Sequence, residues 1–254
     1  MKHPNMKRGW IGLVMLALLL SAGCAGNKTG KDKDTPEDRV AAETLYNQSL
    51  DSLKDGQYVA AADSFDEVER THPFSKWATH AQIMAAYAHY KNRDYNRAVS
   101  TLERFIELHP GSDSIAYAHY LKAISYYEQI TDVRRDQGMT RKAYDNLQTV
   151  VKRYPDTPYA RDASLKLDLT RDHLAGKEMD IGRYYLTRGH YHAALNRFRK
   201  VVRDYQTTMH TPEALHRLVE AYKALGLRDE ARRTAAVLGY NYPDSTWYAD
   251  SYRL

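Results

Sequence analysis

The chain has one cysteine in 254 residues, with 4 phenylalanines and 3 tryptophans. A single thiol closes no internal disulfide and builds no cysteine-based zinc site, so Cys24 calls for a different chemistry. The N-terminal apolar run, Trp10–Leu20, falls well short of the ~20 residues a membrane-spanning helix needs. Charge of one sign is scarce as well. There are 37 Lys+Arg against 32 Asp+Glu, and Lys2, Lys7 and Arg8 lie in a targeting segment, so the mature balance is near neutral. A surface built for polyanions is excluded, and no nucleic acid is expected as a partner. Catalytic motifs are missing too. His-Glu-x-x-His and Gly-x-Ser-x-Gly do not occur, and Gly26-Asn27-Lys28-Thr29-Gly30-Lys31 lacks the spacing and the following helix of a phosphate loop. His190 and His192 have no carboxylate at helical spacing and read as surface residues, so no metal, cofactor or catalytic activity is expected. What is plentiful is tyrosine, at 21 residues. Its apolar body and polar tip suit half-exposed contact surfaces. With 43% hydrophobic and 27% charged residues, a packed body is expected.

Lys2, Lys7 and Arg8, then the apolar run, then Ser21-Ala22-Gly23-Cys24 give the parts of an export signal in order. The placement of Cys24 resembles the lipobox of bacterial lipoproteins, in which the thiol is acylated and becomes the first mature residue. Ser21 departs from the Leu usual at that position. The alternative is an ordinary signal peptide with Cys24 incidental. The lipobox resemblance implies residues 1–23 as signal peptide and a covalent lipid on Cys24, with several acyl chains for stable anchoring. By resemblance to enteric sorting rules, Ala25 after the cysteine favours the outer membrane. Residues 24–40 are rich in Gly, Lys, Asp, Thr and Pro without apolar periodicity, the composition of a flexible tether.

A repeat runs through the remainder. A small residue, an apolar residue four positions on and a proline eight further recur as Ala61, Phe65, Pro73, as Ala98, Leu102, Pro110 and as Ala143, Leu147, Pro155. Two further copies read Ala194, Phe198, Gln206 and Ala231, Ala235, Pro243. Gly56, Gly189 and Gly226 precede their anchors by five residues, as a tight helix-to-helix turn favours. This resembles the tetratricopeptide pattern, and it predicts an all-α, tetratricopeptide-like superhelix of about five helical hairpins. Anchor spacings of 37, 45, 51 and 37 exceed the usual period of about 34. The excess is assigned to a polar insertion between Ile130 and Thr140 and to an additional linking helix between Pro155 and Met179. Hairpins 1–3 are placed in 41–155, and the linking helix with hairpins 4–5 in 156–254.

Such arrays bind on the wall made by the first helix of each hairpin. Counting back from the anchors puts Tyr46, Ile83, Tyr87, Tyr90, Tyr117, Tyr120 and Tyr127 there, an aromatic groove suited to a peptide bearing aromatic side chains. The alternative is that about half of these are hairpin core. Charge is uneven: residues 41–112 carry 7 basic and 10 acidic residues, and residues 180–233 carry 11 and 6. Arg183, Arg188 and Arg197, with Arg199, Lys200 and Arg203, are candidates for a carboxylate-bearing partner or for a solvated helix face.

The lipobox, the tether and the array together resemble the BamD family of lipoproteins in the machinery that assembles outer-membrane β-barrel proteins. The match is carried by His72-Pro73-Phe74, Ala86-Tyr87-Ala88-His89-Tyr90-Lys91, Arg104-Phe105-Ile106, Arg135-Asp136-Gln137, Tyr154-Pro155-Asp156-Thr157-Pro158-Tyr159-Ala160 and Asn196-Arg197, over about residues 40–250. The resemblance implies a non-catalytic protein facing the periplasm from the outer membrane. Its N-terminal hairpins would receive the aromatic-ended C-terminal strand of unfolded barrel proteins, with Pro73, Phe74 and Trp77 on the client-receiving edge. Its C-terminal hairpins would dock the periplasmic domains of the barrel-forming core subunit, with Arg197 tied to that coupling, and other assembly lipoproteins are further candidate partners. The rival is a scaffold of another envelope complex, such as peptidoglycan or division machinery.

Overall fold

In the computed structural model of the protein, residues 35–253 are described, residue 134 excepted. Cys24, the signal segment and most of the tether lie outside them. The described residues form eleven helices and no strand. Five hairpins follow one another: α1 (Pro36–Lys54) with α2 (Tyr58–Thr71), α3 (Lys76–Lys91) with α4 (Tyr95–Leu108), α5 (Ile115–Tyr127) with α6 (Gly138–Arg153), α7 (Pro158–Thr187) with α8 (Tyr191–Asp204), and α9 (Thr211–Ala224) with α10 (Arg228–Asn241). A short α11 (Thr246–Arg253) comes last.

Every anchor alanine falls on the second helix of its hairpin and is buried there, where a larger side chain would hold the two helices apart. The apolar residues four positions on, Phe65, Leu102, Leu147 and Phe198, fill the core between consecutive hairpins. Gly56, Gly189 and Gly226 adopt φ of 76°, 73° and 75° in the connecting turns. The second hairpin makes the same turn with Arg93 at φ 61°. The second helices end two residues before Pro73, Pro110, Pro155 and Pro243, and α8 ends in the same register before Gln206. There the Thr208 hydroxyl donates to the Tyr205 carbonyl at 2.8 Å, and the Thr211 hydroxyl lies 3.1 Å from the Gln206 carbonyl. The hairpin-three turn makes the same bond, Thr157 to the Tyr154 carbonyl at 2.7 Å, so the two turns match although only one carries a proline.

Two boundaries differ from the expectation. The tether drawn to residue 40 is too long, because α1 already starts at Pro36. Thr35 accepts from the Asp38 amide at 3.2 Å, proline occupies the first turn, and Glu37 and Asp38 favour the positive end of the helix dipole. The linking helix is not a separate element either. It is the first half of α7, 30 residues long, whose second half is the first helix of hairpin four. Thr157 accepts from the Ala160 amide at 3.3 Å to open it, and Pro158 occupies its first turn. The long α7 explains the 51-residue spacing, and the segment between Tyr127 and Gly138 explains the 45. At Gly182, where α7 crosses α8, an added Cβ would run into the Phe198 ring, so the glycine sets how closely these helices meet.

Candidate functional site

The aromatic residues of the first helices fall into two groups. Tyr46 on α1 lies 4.8 Å from Trp77 on α3, ring to ring, and 5.5 Å from Phe65. Burial raises the Tyr46 hydroxyl pKa above its ordinary value, so it stays a neutral donor. The Trp77 indole N–H is buried and has no hydrogen-bond partner among the described residues. Lys76 sits over the Trp77 ring at 5.0 Å. The preceding turn explains how the edge is shaped. Pro73 cannot continue α2, and Ser75 caps α3 by accepting from the Trp77 amide at 3.2 Å. Phe74, held between these two, points outward and is 64% exposed.

The second group joins α3, α5 and α7. Tyr87, Tyr90, Tyr117 and Tyr120 pack partly buried against the core of Leu102, Phe105 and Leu121. Tyr159, at the start of α7, stacks on Tyr120 at 5.3 Å and tilts against Tyr117 at 5.4 Å. The Tyr120 hydroxyl donates to Asp162 at 2.7 Å, and Lys166 holds the same carboxylate at 2.8 Å. Burial works against the Asp162 charge, yet these hydrogen bonds keep its pKa below the usual range. Burial pushes the Tyr90 hydroxyl up to about 12, with Glu128 adding to the shift. Burial lifts Tyr117 and Tyr120 further still, and for Tyr120 the bond to Asp162 contributes. The Tyr90, Tyr117 and Tyr120 phenols therefore stay neutral throughout the physiological range.

The structure packs Tyr46 against Trp77 and groups Tyr87, Tyr90, Tyr117 and Tyr120 elsewhere, each tyrosine half-buried, while Pro73 and Phe74 are exposed in the turn before α3. Ile83 is corrected: it is buried core and does not line a groove. Tyr159 was missed as a member of the second group. Its signal was the position just after Pro158, which puts it on the first turn of the next helix.

The arginines of the C-terminal half are largely committed within the array. Arg183 binds Asp180 at 2.6 Å and Glu213 at 2.9 Å. Arg197 binds Glu178 at 3.0 Å, and Lys200 reaches the other oxygen of the same carboxylate. Burial opposes the charge on Glu178, whose side chain is 10% exposed, but hydrogen bonds from Lys200 and Arg197 hold its pKa below the usual carboxylate range. Arg197 itself remains 39% exposed and lines a shallow depression with Lys177, Ile181 and Tyr184. Arg188 lies over the exposed Tyr184 ring at 4.4 Å. Among the described residues no cluster of three or more potential metal ligands occurs, and no helix is long and apolar enough to cross a membrane.

The profile of the family described as YfiO, outer membrane lipoprotein, matches residues 38–238. The chain is 53% identical over 233 residues to the outer membrane protein assembly factor BamD of Caulobacter vibrioides, covering 92% of this chain and 76% of that protein. It is 46% identical over 242 residues to BamD of Rickettsia prowazekii, covering 95% and 94%. Identity to BamD of Neisseria meningitidis is 33% over 250 residues, covering 94% and 93%. With a helical array of the expected kind and relatives this similar over at least three quarters of their length, the chain belongs to the BamD family of outer membrane protein assembly factors.

Proposed function

We propose that the protein is anchored to the outer membrane by lipid on Cys24, faces the periplasm, and hands unfolded barrel proteins to the barrel-forming core subunit without catalysing a reaction. Client recognition is assigned to hairpins 1–3. The observation that carries this is the aromatic edge of Tyr46 and Trp77, rings 4.8 Å apart, with the exposed Phe74 three residues before Trp77 in the chain. An aromatic-ended strand docked there gains ring contacts worth about 0.5–1.5 kcal/mol per pair beyond simple burial. The half-buried tyrosines of the second group extend the same chemistry along the array, since each presents a ring edge while its body stays packed. Core-subunit docking is assigned to hairpins 4 and 5, where Arg188, Tyr184 and the exposed part of Arg197 offer arginine and tyrosine contacts.

Affinity purification of the full lipid-bearing chain from detergent-extracted envelopes tests the reading. Co-purification of a large barrel protein, with unfolded barrel clients trapped by cross-linking at Phe74, is the expected result. Recovery of cell-wall or division factors in its place would move the protein to a scaffold of another envelope complex.

A further inference from the structure

Among the described residues, the helices of hairpins 1–3 meet no helix of the C-terminal half except α7. How hairpins 4 and 5 stand against the first three is therefore set by whatever keeps α7 from bending. Its weak point is Gly176, buried in the middle of the helix, since glycine in a helix interior gives up helix propensity and adds backbone freedom. Two other pieces of chain meet over it. A Cβ at Gly176 would stand 3.4 Å from Val133 Cγ2, in the segment between α5 and α6, and 3.2 Å from His210 Nε2, in the turn between α8 and α9. The glycine lets both come close to the helix axis. The segment that carries Val133 has no part in the client or docking groups proposed above.

Each piece is fastened. Gln137 gathers its segment from within, its Nε2 donating to the carbonyls of Val133 at 3.1 Å and Arg135 at 3.0 Å. The turn is tied to α7 about one helical turn before the glycine. The Met209 amide donates to Asp172 at 3.3 Å, His210 lies 3.6 Å from the same carboxylate, and Arg171 donates to the Thr207 hydroxyl at 3.3 Å. Two side chains of α6 join the halves directly. Arg141, in its first turn, donates to the Tyr205 hydroxyl at 3.4 Å, and Tyr144 packs against the core of hairpin 3 and against that of hairpins 4 and 5. These ties are partly opposed. Gln137 Oε1 and His173 Nδ1, the latter one turn before Gly176, are buried with no hydrogen-bond partner among the described residues, and an unmatched buried polar atom offsets part of what the contacts contribute.

From this geometry we infer that the segment around Val133 and the turn around His210 form a strap across α7, closed in this structure, whose opening makes Gly176 a hinge between the client half and the docking half. Closed, the strap keeps α7 continuous and passes a displacement of hairpin 3 on to hairpins 4 and 5. Open, it lets α7 bend, and hairpins 4 and 5 swing together because Glu178 and Arg183, with their partners on α8 and α9, all lie beyond the glycine. Hinges are absorbed by a few residues, and a helix bends where its own ladder is least supported. The tasks given to the two halves rest on the function proposed above; the strap and the hinge do not.

Spin labels at Val59→Cys in α2 and Val237→Cys in α10, both exposed positions, test it in the full lipid-bearing chain, whose own cysteine is acylated in that form. Double electron–electron resonance is expected to give one narrow distance. Val133→Asp, which sets a carboxylate beside the Asp172 end of the strap, is expected to broaden that distance and shift it by several ångström. His210→Ala, which removes the ring over Gly176 and leaves the hairpin cores untouched, is expected to do the same, with circular dichroism checking that helix content is kept. Gly176→Ala added to Val133→Asp is expected to return the narrow distance by stiffening the helix at the hinge itself. A distance that stays narrow in both strap variants overturns the inference. So does a broad distance in the unaltered chain, or a broadening that Gly176→Ala leaves in place. The measurement needs no partner, so loss of core-subunit co-purification would remove the docking role and leave the strap standing.

Discussion

Arg93 holds φ at 61° in the turn between α3 and α4, where three other hairpins use glycine. A side chain with a Cβ costs roughly 1–2 kcal/mol in this region, and glycine returns part of that through its freedom in the unfolded chain. Arg93→Gly is therefore expected to stabilise the protein by about 0.5–1 kcal/mol, read as a higher urea midpoint; an unchanged or lower midpoint would contradict it. His119 presents the opposite case, a buried residue whose ring Nε2 has no partner among the described residues. Burial, with Arg153 and Lys122 nearby, depresses its pKa from 6.5 to about 4. The unfolded chain then takes up a proton that the folded chain refuses, so stability present above pH 6.5 is lost as the pH falls toward 4. His119→Phe is expected to flatten this slope in thermal melts taken between those limits. An equally steep slope in the variant would show that His119 is not its source.

At the scale of the helix, α7 carries the most consequence. Its 30 residues run from the third hairpin into the fourth, so one helix contacts both the second tyrosine group and the C-terminal arginines: Tyr159 and Asp162 near its start, Glu178 and Arg183 further on. Glu178 is the inward fastening of α7 to α8. Arg197→Glu would set a second carboxylate against it, and a loss of about 1–2 kcal/mol is expected, reduced from the fully buried case because both cations are partly solvated. Arg197→Gln leaves Lys200 on Glu178 and is expected to cost under about 1 kcal/mol, so it is the variant that probes docking with the fold intact. Denaturant melts separate the two; equal midpoints would contradict the role given to Glu178. The anchors, turn glycines and prolines made the hairpins legible because each residue type answers a local demand: close approach, positive φ or termination. The continuity of α7 was not legible, since nothing near Met179 marks either a break or its absence. The arginine pairs were hidden for a related reason. Arg197 and Glu178 lie 19 residues apart on different helices, and Arg183 and Glu213 lie 30 apart, distances at which sequence spacing says nothing about contact. The Tyr87 and Tyr90 positions followed from helical spacing; Ile83 lies on the same face by that spacing and in the same cluster, but is buried more deeply.

Across the whole chain, chemistry is distributed along the array. Half-buried aromatic rings dominate the contact groups of hairpins 1–3, and cations outnumber acids in hairpins 4 and 5. On the proposed reading, in which the protein holds a client while attached to its machinery, such a division lets binding at one end leave the other free. The proposed client recognition rests on the aromatic edge at Tyr46 and Trp77. Its most direct test is the affinity of the purified protein for a synthetic C-terminal barrel strand ending in phenylalanine, measured by fluorescence anisotropy against the same strand ending in serine. The phenylalanine strand is predicted to bind at least about tenfold more tightly, with Trp77→Ala erasing the difference. Equal affinity for the two strands, or a preference untouched by Trp77→Ala, would contradict client recognition at this edge.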